Sequence, residues 1–224
     1  MKQIYITAIA GAISLASCQS SPSADAAKTE EQKEAAGATG QTFKIDTVAS
    51  TVEWRGTHKG GMAPRFGIIS INDGSLSVEN GTVTAGSFTI DLNGLKTDTA
   101  SVTEPGKKAT DLDDHLKSPD FFDVAKYPTA KFVITSVALY DSTKQKSLLP
   151  GATNLISGNL TLKDSTLNIT FPAQITVSEN EVSANAKFTI DRTAWGINYK
   201  TEGSPENWMI SKDIEIGFKV KAVK

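Results

Sequence analysis

The chain has 224 residues, of which 39% are hydrophobic and 21% charged, and this suits one soluble domain with a leader or two small domains. The net charge is −2 at pH 7, and the basic residues form no stripe, which excludes an electrostatic surface for nucleic acid. With a single cysteine the chain has no intramolecular disulfide, and its two histidines offer no zinc-type spacing.

The N-terminus is organised like a bacterial export signal. Lys2 supplies a positive charge, residues 4–16 are apolar but too short to span a bilayer comfortably, and Leu15-Ala16-Ser17-Cys18 resembles the lipobox of bacterial lipoproteins. We therefore predict that residues 1–17 are a lipoprotein signal peptide. Cys18 is then lipidated and anchors the protein to a membrane of the bacterial cell envelope, on the periplasmic side or at the cell surface. The alternative is an ordinary secretory signal with a chance cysteine.

The next segment lacks the side chains that drive folding. Residues 19–41 contain no large apolar side chain, so they cannot bury enough surface to offset the entropy of ordering. Residues 18–41 are therefore predicted to be a lipidated, disordered tether that holds a domain away from a membrane. A helix around residues 30–34 is the alternative, but it would have no apolar face.

From residue 42 onward the pattern is that of antiparallel strands. Short segments alternate apolar and polar residues, and turn signals such as Asn72-Asp73-Gly74 and Asn80-Gly81 separate them. About eight such strands, most with one apolar face, predict an all-β fold whose single antiparallel sheet must close or fold over itself. This pattern does not separate a closed barrel from a filled β-sandwich.

One stretch, residues 110–132, interrupts the strand pattern. Thr110 begins it in a capping-box-like arrangement, and Leu112 and Leu116 share one helix face. Ser118-Pro119 starts a second helical turn. The simplest interpretation is one short helical crossover whose aromatic residues close one end of the β-sheet core.

Three segments carry a resemblance to a known family: HLKSPDFFDVAKYPTAKF at 115–132, GNLTLKD at 158–164 and DRTAWGINY at 191–199. They resemble signature segments of the YceI-like family, periplasmic lipocalin-like barrels that bind polyisoprenoids and related long-chain lipids. The resemblance runs over residues 52–222 and implies a single lipocalin-like β-barrel domain at residues 42–224. Leu112-Asp113 stands where the family often has Arg-Asp, so contacts to a lipid head group transfer least.

No constellation of reactive side chains accompanies this resemblance. His58 and His115 lack the sequence context of a Ser/His/Asp triad. The acidic residues around His115 fail the calcium-loop spacing, because Leu116 stands at the glycine position and Phe122 at the position of the last ligand. We therefore predict no catalytic residue, no metal site and no cofactor, and we do not expect an enzyme.

The candidate ligand-binding residues are apolar side chains that would line a barrel and prefer an apolar chain to a polar metabolite. They are Trp54, Phe66, Phe88, Ile90, Phe121, Phe122, Phe132, Ala184, Phe188, Trp195 and Tyr199. Alternation places Phe88 with Ile90, and Phe188 with Ile190, on the inner face. Ala184 lies on the same face, where its small side chain leaves room for a chain to pass.

The sequence thus predicts non-catalytic binding, as carriage or storage, of a long-chain isoprenoid or fatty-acyl lipid in the cell envelope. A polyisoprenoid, a quinone-like lipid or a fatty amide would suit such a barrel. The other expected partner is the membrane that holds the anchor; nucleic acid is not a partner, and a homodimer is left open. Two alternatives remain open: a solid barrel with a structural or stress-related role, and an enzyme acting on such a lipid.

Overall fold

The computed structural model describes residues 23–201 and 209–224. The predicted signal peptide and Cys18 lie outside these residues. Within the described ranges the chain forms eleven β-strands, one α-helix and three short 3-10 turns. No helix in this part of the chain is long and apolar enough to cross a membrane.

The strands follow the chain as short N-terminal pieces and then long antiparallel neighbours. They are β1 (Asp25–Ala26), β2 (Lys28–Glu31), β3 (Gln41–Ile45), β4 (Thr51–Gly56), β5 (Arg65–Glu79), β6 (Thr82–Thr97), β7 (Thr129–Leu139), β8 (Asn154–Leu162), β9 (Ser165–Val177), β10 (Glu181–Asp191) and β11 (Asp213–Val223). Helix α1 (Ala109–Lys117) lies between β6 and β7.

Eight strand positions close into an antiparallel barrel, which confirms the predicted fold. β3 and β4 share one position, because both pair with β11 on one side and with β5 on the other. The order then continues from β5 to β11 without a crossover, and β9, β10 and β11 pair in sequence to complete the ring. The eight barrel positions send alternate apolar side chains inward, and these side chains form one continuous core.

The prediction of a disordered tether is wrong for the described part of residues 18–41. β1 pairs in parallel with β10 at Phe188 and Thr189, and β2 pairs antiparallel with β9 at residues 167–170. These edges are open because β9 and β10 pair with each other only through residues 173–177 and 182–186. Backbone hydrogen bonds to the two open edges therefore order a segment that has little apolar surface to bury.

The chain then crosses the outer face of the barrel, and we call residues 25–40 the N-terminal strap. The backbone N–H of Lys33 donates to Asn159 Oδ1 on β8 (3.1 Å), and Asn159 Nδ2 donates to the Lys33 carbonyl oxygen (2.7 Å). The N–H of Ala36 donates to the carbonyl oxygen of Ile134 on β7 (3.0 Å). Asn168, which donates to Asn159 (3.1 Å), is completely buried.

In the long β5–β6 hairpin, one of the two predicted turns is confirmed and the other prediction is wrong. Asn80-Gly81 forms the turn, with positive φ at both residues. At Asn72-Asp73-Gly74, by contrast, β5 continues as a strand without a turn. Its pairing with β6 shifts register there in a β-bulge. A Cβ on Gly74 would lie 2.7 Å from the Cβ of Phe88, so glycine serves a close approach of two strands here.

Helix α1 begins earlier than predicted, and the second helical turn predicted after it does not form. Its N-cap is Lys108, whose backbone N–H donates to the Asp111 carboxylate (3.3 Å), so Thr110 lies inside the first turn. Ser118-Pro119 starts no second helical turn, because residues 118–127 form non-helical turns. The Ser118 hydroxyl instead donates to the His115 carbonyl oxygen (2.8 Å) and caps the end of α1.

Candidate functional site

The barrel encloses a cavity of about 340 Å³ at the end where α1 lies. This end also carries the last residues of β4, β6, β8 and β10 and the first residues of β5, β7 and β11. The walls are aliphatic side chains, all but Ile197 carried by strands: Val52, Ile69, Ile90, Leu92, Leu95, Ala130, Leu160, Leu162, Ile190, Ile197, Ile214 and Ile216. Leu112 and Leu116 of α1 line the same space from above.

Five phenylalanine rings close the cavity at its inner end, and we call them the phenylalanine floor: Phe88, Phe132, Phe171, Phe188 and Phe218. Ring contacts at centroid distances of 4.0 to 5.8 Å connect the five, and Phe218 touches the other four rings. All five are buried. Phe218 is the member that lines the cavity.

Sequence position along each strand decides which side chain is floor and which is wall. Four residues line the cavity two positions away from a floor ring, on the side of the mouth: Ile90, Ala130, Ile190 and Ile216. On the other side of the floor the core consists of side chains packed without lining it, among them Phe43 and Val182. The barrel is therefore open at one end and solid at the other.

Three aromatic rings gather at the mouth. His115, Phe121 and Tyr199 lie with ring centroids 5.0 to 5.1 Å apart. The chain after α1 folds back to place them, because the N–H of Phe122 donates to the Leu116 carbonyl oxygen (3.1 Å). His115 Nε2 lies 3.0 Å from Asp120 Oδ2, which fixes the ring that faces the cavity.

Arg192 holds the loops of the mouth together from inside the protein. Its guanidinium group donates to the carbonyl oxygens of Ser211 (3.1 Å), Ile197 (2.5 Å), Tyr199 (2.8 Å) and Ile210 (3.3 Å). The side chain is 4% exposed, and burial lowers its pKa from the ordinary value. Four backbone carbonyl groups thus stabilise one buried cation.

The polar groups of the cavity are concentrated at this mouth. His58, Arg65 and Lys200 line it there together with His115 and Arg192. Burial lowers the pKa of His58, and the positive charge of Arg65 lowers that pKa further, so the imidazole stays neutral near pH 7. Arg65 is itself paired with Glu104 and donates to the carbonyl oxygen of Ser101 (2.7 Å).

The chemistry of the lining is that of a binding site for an apolar group. Among the described residues that surround the cavity there is no serine, cysteine, aspartate or glutamate. Within the same part of the chain, no group of three or more histidine, cysteine or acidic side chains could hold a metal ion. A buried apolar cavity of this size favours a hydrocarbon chain over water, because transfer of apolar surface out of water is favourable.

The comparison with protein families decides the classification. The model of the YceI-like domain matches residues 43–222, which is most of the chain. The chain belongs to the YceI-like family. Among curated proteins, UPF0312 proteins of Pseudomonas putida strains F1 and KT2440 are each 34% identical to it over 133 residues, 58% of this chain. That match spans only 60% of the length of each relative.

Two solved structures share the fold of this YceI-like chain. The crystal structure of BcnA from Burkholderia cenocepacia aligns with a TM-score of 0.57 and 17% identity, over 80% of this chain and 99% of the other. A polyisoprenoid-binding domain from Saccharophagus degradans, implicated in plant cell wall breakdown, aligns with a TM-score of 0.51 and 14% identity, over 81% of this chain and 97% of the other. At these identities the likeness concerns the fold.

The YceI-like barrel brings only some of the predicted ligand-binding residues together. Trp54, Ile90, Phe121, Phe122 and Tyr199 line the cavity. The others lie elsewhere: Phe88, Phe132 and Phe188 form the floor, Phe66 borders a groove on the outer surface, Ala184 lies towards the closed end, and Trp195 is packed with its Nε1 donating to the Leu160 carbonyl oxygen (2.9 Å).

Sequence reasoning missed the polar residues of the mouth. Arg192 belongs to the family segment at 191–199, but its role cannot be predicted, because nothing in the neighbouring residues indicates that its side chain turns inward. Arg65 and His58 had no periodic signal at all. The aliphatic wall could have been found from the strand alternation, since Ile214 and Ile216 share the inward face with Phe218.

Proposed function

We propose that this protein binds one isoprenoid or fatty-acyl chain in the barrel cavity and carries or stores it without transforming it. The observation that carries the proposal is an apolar cavity of about 340 Å³, open at one end of a YceI-like barrel. Its volume lies at the lower end of the range of small-molecule sites, about 300–1,000 Å³.

Membership of the family and one structural relative support an apolar ligand. The relative from Saccharophagus degradans is described as a polyisoprenoid-binding domain, and it shares the fold of this chain. A tail that enters past the aromatic mouth would meet aliphatic walls, the indole ring of Trp54 and the phenylalanine floor. A polar head group would remain among the basic and imidazole side chains of the mouth.

Binding without transformation agrees with the lining of the cavity. The only side-chain hydroxyl groups among its described residues are those of Thr57 and Tyr199. His115 pairs with Asp120, but no serine or cysteine nucleophile stands among these residues to use the imidazole as a base. We therefore propose carriage or storage ahead of an enzymatic role.

A substitution that fills the cavity tests the proposal. Ala130 lines the cavity and is 1% exposed, so Ala130→Leu places a larger side chain where the ligand would lie. We expect the parent protein, purified as the full chain and analysed by native mass spectrometry, to carry or take up an apolar molecule. The variant should lose most of that occupancy with little change in the free energy of unfolding.

Ala186→Leu is the matched control. Ala186 faces inward on the same barrel, beside Phe218 of the floor, and lies outside the cavity lining. There the added side chain should overpack the core and destabilise the protein by about 1–3 kcal/mol while occupancy remains. A parent protein that neither carries nor takes up an apolar molecule would contradict the proposal, as would equal occupancy in Ala130→Leu.

We also propose that the protein is lipidated at Cys18 and held on a membrane of the bacterial cell envelope. The support is sequence alone: the lone cysteine of the chain follows Leu15-Ala16-Ser17 after an apolar segment. Cys18→Ser should abolish the mass increment of the acyl groups and release the protein from the membrane fraction. Retention of the increment in that variant would rule out the anchor.

A further inference from the structure

We infer that the phenylalanine floor limits how far a hydrocarbon tail can enter the barrel, to on the order of ten carbon atoms, so that this protein is selective for short tails. The inference rests on the proposed function, and it concerns which chain the same cavity accepts. A methylene group occupies roughly the volume that a water molecule takes in the liquid, about 30 Å³. The cavity of about 340 Å³ includes the space at its mouth, and it holds on the order of ten such groups.

The floor is a close-packed barrier, because each ring restricts the movement of its neighbours. The rings of Phe171 and Phe188 are stacked at 4.0 Å with an interplanar angle of 16°, and Phe218 meets Phe88 and Phe188 edge-on at 5.2 and 5.3 Å. Phe171, Phe188 and Phe218 are between 0% and 5% exposed. A chain that passed the floor would have to move several close-packed rings together.

Glycine residues let neighbouring strands approach two members of the floor closely. A Cβ on Gly158 would lie 2.2 Å from Cζ of Phe132, so β8 offers its bare backbone to that ring. A Cβ on Gly74 would lie 2.7 Å from the Cβ of Phe88. The Phe132 ring therefore lies directly against β8, and β5 lies close to the backbone of Phe88.

The direction of entry follows from where the polar groups are. Every charged or imidazole side chain of the cavity stands at the mouth, and the residues next to the floor are Ile90, Ala130, Ile190 and Ile216. The tail therefore enters first and stops at the floor. Carbon atoms beyond this limit of roughly ten remain at the mouth or in water and add little to the affinity.

A chain-length series measures this limit directly. Saturated fatty acids of about 8 to 18 carbons are titrated into the full-length protein by calorimetry, each below its micelle concentration. Affinity should rise about fourfold for each added methylene, the fold-change for burying one such group, and level off within the series at roughly ten to twelve carbons. An affinity that keeps rising to the longest acid would overturn the length limit and leave the proposed function standing. Failure of every acid to bind would overturn both.

Two phenylalanine variants show whether the floor sets the limit. Phe218→Ala removes the ring that lines the cavity and touches the other four, so the plateau should move to longer acids. Phe43→Ala is the matched control, since this ring is 2% exposed, makes no ring contact with the floor and lies beyond it. Its plateau should stay where it is in the parent.

Phe218→Leu provides the same test if Phe218→Ala does not fold, because the smaller change still opens the floor by part of a ring. Cooperative thermal unfolding of each variant establishes that it is folded before binding is measured. A folded Phe218 variant whose plateau is unchanged would overturn the assignment of the floor, and so would a plateau that moves equally in Phe43→Ala.

Discussion

Arg192 is a buried side chain that holds the loops of the cavity mouth together. Its guanidinium group donates to the carbonyl oxygens of Ile197 and Tyr199. It also donates to those of Ile210 and Ser211, which lie shortly before β11. Phe121 lies against it, with the guanidinium carbon 5.9 Å from the ring centroid. The aromatic rings of the mouth therefore depend on a cation that is itself buried.

Removal of this cation should destabilise the protein. Arg192→Met leaves four backbone carbonyl groups without their donor, and we expect a loss of about 2–4 kcal/mol in the free energy of unfolding, measured by urea denaturation. Lys212→Met is the control, because Lys212 pairs with Asp191 and Asp213 at the surface and should change stability by about 0.5 kcal/mol or less. Equal effects of the two substitutions would contradict the role of Arg192.

His58 makes the stability of the protein depend on pH. Burial and the charge of Arg65 lower its pKa in the folded protein from 6.5. The unfolded chain therefore binds the proton more readily, so this residue's contribution to stability is present above pH 6.5 and is lost as the pH falls through the folded pKa. An NMR titration should give His58 a pKa below 6.5, and His58→Gln should reduce the loss of stability between about pH 7 and pH 5. A pKa at or above 6.5 would contradict this account.

At the scale of elements, the N-terminal strap is the feature that the amino-acid pattern concealed. Residues 19–41 lack large apolar side chains, and from that alone disorder was the natural prediction. The strap is ordered by partners more than a hundred residues away in sequence, namely the open edges of β9 and β10 and the amide of Asn159. Such partners leave no local periodicity for sequence reasoning to detect.

Hydrogen exchange tests the strap residue by residue. The amides of Ala27, Lys33 and Ala36 each donate a hydrogen bond to the barrel and should exchange slowly. Asn159→Ala should remove the protection of Lys33 and lower stability by about 1–3 kcal/mol, since Asn159 also bonds to Asn168. Thr161→Ala, at the next outward position on β8, should leave Lys33 protected. Rapid exchange at all three amides of the parent would contradict the strap.

The strands themselves were predictable where alternation was the governing signal. Phe88 with Ile90, and Phe188 with Ile190, share the inner face as predicted, and the two pairs stand at matching levels of the barrel. Alternation reports which face a side chain occupies but not how far along the barrel axis it lies. The sequence could therefore not tell that the phenylalanines form the floor while the isoleucines line the cavity.

At the scale of the whole molecule, one half of the barrel interior is a packed core and the other half contains the cavity. The half beyond the floor is filled with side chains, whereas the half under α1 keeps a cavity of about 340 Å³. The two alternatives that the sequence left open, a solid core and a lined cavity, thus apply to different ends of the same barrel. Ala184, expected to leave room for a chain, stands towards the solid end.

The most direct measurement of the central claim is the location of a bound chain by NMR. With protein labelled at its methyl groups and unlabelled dodecanoate bound, intermolecular NOEs should connect the acyl chain with the methyl groups of Ile90, Ile190 and Ile216. No NOE should reach Val182 or Val220, which lie beyond the phenylalanine floor. Absence of NOEs to the three isoleucines at saturating dodecanoate would contradict the account, and NOEs confined to outward-facing methyl groups would contradict it equally.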